Sequence, residues 1–452
     1  MRTVSKTVIG VDFGTQSARA VLVNAENGEI IYSCRKEYPY NSTPVPAIDC
    51  AENLPCATDY EMTLYELLRN VIPEEYRKTV AGICVDATSL TMVLLAEDGR
   101  ALSELDGWSE AAHARVKLWK YHRAQEKADE ALNLARNLQE PFLGRTGGSI
   151  SCEWMLPKLL EVRDEAPEIY SKIDLAMDLC EFLTFRLTGQ LVRSIGSLSY
   201  KCLWAEDLSF PERTFLNGLR AGFYEEYCHF LRGDVRKLGE CAGVLRSELT
   251  KRWGLPEQIP VATGMLDGHT SLATMGAFEP GDAALIVGTS NVCTVQDRKL
   301  QELKDVCGVA QDGMVTGSCG IDTGQSSTGN MLGWFVEHMA GWQIHREAEE
   351  RKISPHQVLA ERIQKPWENK VIAVDWWSGS RNAPCDLTLR GSMSGLEMDT
   401  KTEDIYLALL QAIACGTGTI LESLSGQGVE IGRVLATVSY THLRAHETGA
   451  YL

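Results

Sequence analysis

The first clear pattern is a pair of apolar arms joined by a polar turn. In VIGVDFGTQSARAVLV, residues 8–23, the first arm ends at Asp12 and Gly14-Thr15-Gln16-Ser17 leads into the second. The arms are short enough for paired strands. Asn27-Gly28, a favoured two-residue hairpin turn, predicts a third strand after them. TDYEMTLYELLRNVI then changes the period: Met62, Leu64, Leu67, Leu68 and Val71 recur at helical spacing. VAGICVDATSLTMVLLAEDGRAL returns to the strand, aspartate, small-residue, strand form, with a turn at Asp98-Gly99.

A largely helical region is predicted from about Glu110 to Leu187, broken at Gly144–Gly148. IPVATGMLDGHTSLATMGA reads as a strand entering a helix, with Asp267 at the junction. DAALIVGTSNVCTVQ then repeats the opening device around Gly288-Thr289-Ser290. A helix is expected over about Gly329–Ala340, a strand and loop in VIAVDWWSGSRNAP, and a long apolar helix in EDIYLALLQAIACGTGTILESL. The same hairpin in both halves predicts two related α/β domains, with the change of motif near Met275–Gly281.

Composition narrows the class. The chain has 452 residues, enough for two or three domains, with 44% hydrophobic and 23% charged residues. Its net charge of −17 argues against nucleic acid or an anionic membrane as the main partner. No uninterrupted apolar stretch approaches a membrane span, and MRTVSKTVIGVDFG has no signal-peptide core. The 14 cysteines form no C-x-x-C pair; those in apolar runs (Cys84, Cys180, Cys415) are expected as buried free thiols of a reducing cytoplasm.

The chemistry clusters at a few places. Backbone N–H groups in a tight Gly-containing turn converge on an anion and hydroxyls add donors. Two Gly-Thr turns at corresponding places predict a phosphate clamp. A carboxylate such as Asp12 suits a hydrated Mg²⁺, which keeps its waters and takes one or two carboxylates. There is no Walker A motif, strand-linked G-x-G-x-x-G, H-E-x-x-H or metal-spaced Cys/His set. On position alone Asp267 reads first as a helix N-cap; exposed at that junction, it could also accept a proton from an attacking hydroxyl. Lys201 in YKCLW is either a snorkelling lysine or an inward donor to a polyol. The tryptophans of DWWSGSR, beside Asp375 and Arg381, suit either a core or a sugar face.

These segments, in this order, resemble the FGGY carbohydrate kinases, part of the actin/Hsp70/sugar-kinase ATPase superfamily. The likeness runs from about Val8 to Ala436 and rests on IGVDFGTQSARAVLV, VDATSLTMVLL, VKLWKYHRAQEKAD, GGSISCEWMLPK, YKCLW, DGHTS, IVGTSNVC, GQSSTG, DWWSGSR and GSMSGL. Within the family it is most similar to the branch acting on L-ribulose. The resemblance implies an α/β fold of two ribonuclease-H-like domains around a central cleft: residues 1–277 binding sugar and 278–436 binding nucleotide. It implies ATP and Mg²⁺ as cofactors and transfer to the terminal hydroxyl of a ketopentose, giving L-ribulose 5-phosphate. Asp267 falls on the catalytic base, which also touches the sugar, and Lys201 on the sugar-binding lysine. Gly14, Thr15 and Gln16 fall on the first phosphate loop, Gly288, Thr289 and Ser290 on the second, and Gly329 on the start of the adenine-side helix. Asp12 would hold Mg²⁺ through water. The expected setting is cytoplasmic and the expected partners are a small-molecule sugar and a second copy in a homodimer, without nucleic acid or membrane.

Departures bear on the substrate. Asp322 stands where that branch usually carries a glutamate for the sugar, Asn330 replaces a common acidic residue, and Ser89 sits in the sugar pocket where alanine is frequent. They leave D-ribulose, xylulose or another polyol as alternatives, together with a sugar-binding pseudokinase and a protein-coupled ATPase. The last segment, VSYTHLRAHETGAYL, does not continue the family pattern; residues 437–452 are expected to be an adventitious tail on an incomplete second domain, leaving this chain unstable or inactive.

Overall fold

Two separate sheets, each built around one of the Gly-Thr hairpins, organise the computed structural model of the protein. The structure describes residues 5–38, 54–364, 369–382, 385–386 and 388–438. The chain divides into two compact units: residues 1–143, 150–270 and 310–317 form the first, and residues 144–149, 271–309 and 318–452 the second.

The first unit's main sheet begins with β1 (Thr7–Phe13), β2 (Ser17–Asn24) and β3 (Ile30–Glu37), the predicted antiparallel meander. Helix α1 (Ala57–Val71) returns the chain to β4 (Val80–Ala87), parallel to β1. Strand alternation sorts the residues. In β1, Ile9, Val11 and Phe13 enter the core, and Asp12 lies on the other, half-buried face. β4 repeats the arrangement: Ile83, Val85 and Ala87 go inward and Asp86 outward. Helix α1 covers the apolar face with Tyr60, Leu64, Leu67, Leu68 and Val71. Met62, expected in that stripe, is 64% exposed; Tyr60, four residues before Leu64, takes its place.

After β4 the chain leaves this sheet. β5 (Met92–Leu95) pairs with β6 (Leu175–Asp178), and between them lie α2 (Gln125–Leu138) and α3 (Met155–Glu165) on a second core that includes Leu156, Leu159 and Phe215. Helix α4 (Leu179–Thr188) follows β6 directly, capped by the Asp178 carboxylate. The chain then rejoins the sheet through β7 (Cys241–Val244), β8 (Pro260–Ala262) and β9 (Met265–Leu266). The seven strands run β3-β2-β1-β4-β8-β7, with β9 also parallel to β4. β9 delivers the chain into α5 (Asp267–Met275).

In the second unit β10 (Asp282–Val287) and β11 (Asn291–Asp297) form the second hairpin, and β12 (Cys319–Gln325) pairs antiparallel with β11. Helix α6 (Gly329–His338) begins after β12, and the long α7 (Thr402–Gly426) precedes β13 (Arg433–Val438), parallel to β10. Ile420 and Leu424 of α7 pack on Cys293, Val295 and Ile321, and its Tyr406 and Leu409 pack with Phe335 of α6. Of all helices among the described residues, α7 alone is long and apolar enough to cross a membrane; these contacts seat its buried side chains in the second unit's two apolar clusters. Among the described cysteines Cys180 is buried as expected, whereas Cys84 is half-buried and Cys415 is exposed on α7. Of the expected tail, residues 437–452, Thr437 and Val438 instead complete β13 beside Ile286 and Val287 of β10, so the sheet extends two residues into it; residues 439–452 lie outside the described residues.

Candidate active site

Three carboxylates converge at the carboxyl ends of parallel strands in the first unit. Asp12 and Asp86 are register partners on β1 and β4, so they project from the same face of neighbouring strands. β9 is parallel to β4 one step further, with Leu266 beside Ala87, which brings Asp267 to the same end. Asp267 heads α5: its Oδ1 accepts the Gly268 N–H at 2.7 Å, and the Ser89 N–H also donates to its carboxylate. Burial, then the charge of Asp12, raises the Asp267 pKa to about 7. Burial likewise raises Asp12, against the opposing effects of its hydrogen bond to Asp86 and of Arg19, its cross-strand neighbour. Asp86 is raised well above the usual range by burial and by Asp12 and Asp267, and Thr270 gives it one compensating hydrogen bond. Two hydrogen-bonded carboxyls must share a proton unless a cation neutralises them.

That donor set fits Mg²⁺. The ion takes one or two carboxylates and otherwise water, and Asp12 and Asp86 form such a hard, electron-rich pair. Among the described residues no group of three Asp, Glu, His or Cys side chains could hold a metal directly.

The first Gly-Thr turn follows Asp12. The Tyr38 hydroxyl donates to the Gly14 carbonyl at 2.8 Å, and Trp119 Nε1 donates to Thr15 Oγ1 at 3.1 Å. Because C=O and N–H lie on opposite edges of a trans peptide, holding the Gly14 carbonyl aims the Thr15 N–H away from Tyr38. The Thr15 hydroxyl, accepting from Trp119, has its own hydrogen to donate. Ser89 lies in the turn after β4, its Oγ buried without a hydrogen-bond partner. Lys201 ends the helix Ile195–Lys201, whose Tyr200 ring meets His269 of α5 edge-on at 4.8 Å. The lysine's helix is therefore docked on the helix that Asp267 begins.

The second turn lies in the second unit and is built differently. The Gly288 carbonyl accepts the Gly329 N–H at 3.0 Å and the Thr328 hydroxyl at 2.9 Å; the Thr289 carbonyl accepts the N–H groups of Thr328 and Asn330, each at 3.2 Å. The start of α6 captures the turn's carbonyls, so the N–H edges of Thr289 and Ser290 face away from the helix. Gly329 is required by close approach: a Cβ there would stand 2.5 Å from the Gly288 carbonyl oxygen. Asn330 Oδ1 accepts from Ser327 Oγ, Thr328 N–H and Met331 N–H, closing the helix end. Below the turn, Gln325 Nε2 donates to Asp375 at 2.6 Å, and its Oε1 accepts from Asn291 and Thr417. Asp375 is thus part of the support, and Trp377 packs on Trp334 and the α6 core. Asp322 is buried in mid-strand on β12, opposite Thr294.

Asp12, Ser89, Asp267 and the Lys201 helix come together in the first unit, and Gly288–Ser290 with Gly329 in the second. Sequence reasoning missed Asp86, although VDATS echoes VDFGT. It also missed Tyr38, Trp119 and Thr328, for which no local pattern exists.

This combination defines a class. The profile of the FGGY family of carbohydrate kinases matches its N-terminal domain to residues 7–274 and its C-terminal domain to residues 283–437, and the chain belongs to that family. Curated relatives include the ribulokinase of Halalkalibacterium halodurans, 34% identical over 96% of this chain and 78% of its own length. The ribulokinase of Mycolicibacterium smegmatis is 36% identical over 94% and 77%. Among solved structures, a xylulose kinase from Rhodospirillum rubrum has a TM-score of 0.74 at 20% identity, covering 97% of this chain and 83% of its own. A gluconate kinase from Lactobacillus acidophilus has a TM-score of 0.75 at 19% identity, covering 98% and 82%. These two likenesses define the fold.

Proposed function

We propose that the protein transfers the γ-phosphoryl group of ATP to the terminal hydroxyl of L-ribulose, forming L-ribulose 5-phosphate in the cytoplasm. The observation that carries the chemistry is the Asp267 carboxyl, held by the Ser89 and Gly268 amides with its pKa raised to about 7. A base poised near the working pH balances being ionised against being basic enough to take the proton. The substrate is supported by the likeness to curated ribulokinases, which extends over nearly the whole chain.

Asp267 would orient the sugar hydroxyl and accept its proton as the oxygen bonds to phosphorus, with ADP leaving. Ser89 Oγ and the Lys201 ammonium are the sugar's hydrogen-bond donors in this reading, and Asp322 is a further sugar-binding group. Asp12, backed by Asp86, would hold Mg²⁺ through water; the bound ion supplies neutralisation of phosphate charge. The outward N–H edges of Thr15, Thr289 and Ser290 are oriented donors for the charge that develops on the transferred group. Gln16 extends the first turn.

Asp322, shorter by one methylene than the glutamate of the L-ribulose branch, supports a second reading in which D-ribulose or xylulose is preferred. ADP release with Mg-ATP and a panel of pentuloses and polyols tests both. Turnover specific to L-ribulose supports the first reading and preference for another pentulose the second. Sugar binding without turnover would favour a pseudokinase, and ATP hydrolysis indifferent to sugar would overturn the sugar-kinase reading.

A further inference from the structure

The turn Thr88–Thr91, between β4 and β5, carries the Ser89 amide that donates to Asp267. Its shape is unusual. Leu90 has φ of +40°, on the left-handed side that a non-glycine residue rarely occupies. Both backbone groups of Leu90 are claimed by buried ionisable side chains. Its N–H donates to Asp178 Oδ2 at 3.3 Å, and its carbonyl accepts from Lys158 Nζ at 3.0 Å. Asp178 Oδ1 also takes the Thr91 N–H at 3.1 Å, and the carboxylate is itself fixed by the Leu179 N–H and Ser197 Oγ, each at 2.8 Å.

Lys158, on α3, reaches further. The same ammonium donates to the Leu118 carbonyl at 2.9 Å and the Lys117 carbonyl at 3.4 Å. The next residue is Trp119, whose indole N–H holds Thr15 Oγ1 in the first phosphate turn. One buried side-chain nitrogen therefore ties the turn that presents Ser89 to Asp267 to the segment that steadies Thr15. Lys158 and Asp178 are each 0% exposed. Burying such charges is costly, and an apolar side chain would fill the volume without that cost. What an apolar side chain lacks is three directed donors.

We infer that Lys158, together with Asp178, is a positioning residue for phosphoryl transfer, locking the 88–91 turn and the 117–119 segment into one body so that Ser89 stays on Asp267 and Trp119 stays on Thr15. This rests on the kinase reading above. It goes beyond that reading in assigning a function to two side chains that touch neither substrate nor reacting atoms.

The test uses the full chain with Lys158→Met, which keeps the length and loses the donors, Asp178→Asn, and the double variant. Each is measured below its own melting temperature. The expected result is a kcat lowered by about tenfold or more, with the KM values for sugar and ATP changed much less, because a misaligned near-attack geometry costs rate rather than binding. The double variant is expected to be no worse than the poorer single one, since both act on one turn. Lowered stability with kcat per folded molecule unchanged, or additive losses in kcat, would overturn the inference. Backbone hydrogen exchange supplies a readout independent of turnover: amides of the 88–91 turn should exchange faster in Lys158→Met, while those of the β1–β2 ladder keep their protection. Unchanged exchange in that turn would overturn the inference even if the wild-type chain phosphorylates no sugar. Silence towards every sugar, by itself, counts against the kinase reading. If Lys158→Met does not fold, Asp178→Asn alone supplies the same two readouts.

Discussion

The two hairpin turns occupy equivalent places in two similar sheets and carry different chemistry. In each unit the hairpin's first strand has an antiparallel neighbour and a parallel one: β2 and β4 around β1, β11 and β13 around β10. At the end of the parallel pair the first unit sets Asp12 beside Asp86, whereas the second sets Ile286 beside Thr437. Both turns have a carbonyl held so that amide edges face the opposite way, through the Tyr38 hydroxyl in one and the start of α6 in the other. The shared part is anion recognition by backbone. The part peculiar to the first unit is titratable: three crowded carboxylates, all raised in proton affinity by burial, with Asp86 and Asp267 raised further by the charge of neighbouring carboxylates. A backbone device tolerates many side chains, whereas proton transfer and cation binding need particular ones.

The sharpest test of that difference is Asp267→Asn. If proton transfer belongs to the first unit alone, this change should lower kcat by about 10³-fold, within the span of general-base effects, while equilibrium sugar binding persists. It should also raise the melting temperature above pH 7. The sign follows from the raised pKa of about 7: the native state holds this proton more tightly than the unfolded chain, so the stability it contributes is complete at low pH and lost as pH rises through the native value. An amide has no such loss. Near-wild-type turnover in Asp267→Asn would break the comparison. In the wild-type enzyme kcat should rise with pH to a plateau, with a midpoint near 7 set by Asp267; a flat profile across that range would remove it as the base.

Next in size is the contrast between Asp12→Asn and Thr289→Ala. Asp12→Asn should weaken Mn²⁺ binding, read by paramagnetic relaxation of water, and lower turnover by about 10²-fold, because an interaction with full charge is lost. Thr289→Ala keeps the backbone donors and should cost only about threefold, the net value of one neutral hydrogen bond. Equal losses would mean that the second turn also works through its side chains.

Gly329→Ala probes the support of the second turn. With the new Cβ forced to within 2.5 Å of the Gly288 carbonyl, either the helix start or the turn must shift. The KM for ATP should rise by about tenfold, consistent with an overpacking cost of about 1–3 kcal/mol, and sugar affinity should hold. A rise in sugar KM with ATP unaffected would place the turn's function elsewhere.

How much of this could be read from the chain differs between the same two regions. The meander, α1, the junction at Asp267 and both Gly-Thr turns are local patterns, and local patterns are what periodicity and turn chemistry reveal. Asp12 was legible because it is the polar residue in an apolar strand. The supports were not. Tyr38, Trp119, Lys158 and Asp178 reach the first unit's site from distant positions in the chain, and no spacing rule connects Trp119 with Thr15. Thr328 and Asn330 could be read as part of a helix start, but not as the residues that take the carbonyls of a turn 40 positions earlier. Met62 was misplaced for a related reason: two overlapping helical stripes differ by only two residues, and tertiary packing chose the one containing Tyr60.

The smallest effect concerns the first turn's support. Tyr38→Phe removes the single hydroxyl that holds the Gly14 carbonyl and keeps the ring in its stack with Phe13 at 6.3 Å and its edge contact with Tyr60 at 5.1 Å. The lost hydrogen bond is worth about 0.5–1.5 kcal/mol. In the second unit the equivalent carbonyls have several donors from one helix start, so no single hydroxyl there carries as much. Tyr38→Phe should therefore raise the KM for ATP by about two- to tenfold, and Thr328→Val should do less. If Thr328→Val proves the more damaging, the second turn depends on its one hydroxyl more than on its backbone bonds, and the two supports are more alike than their geometry implies.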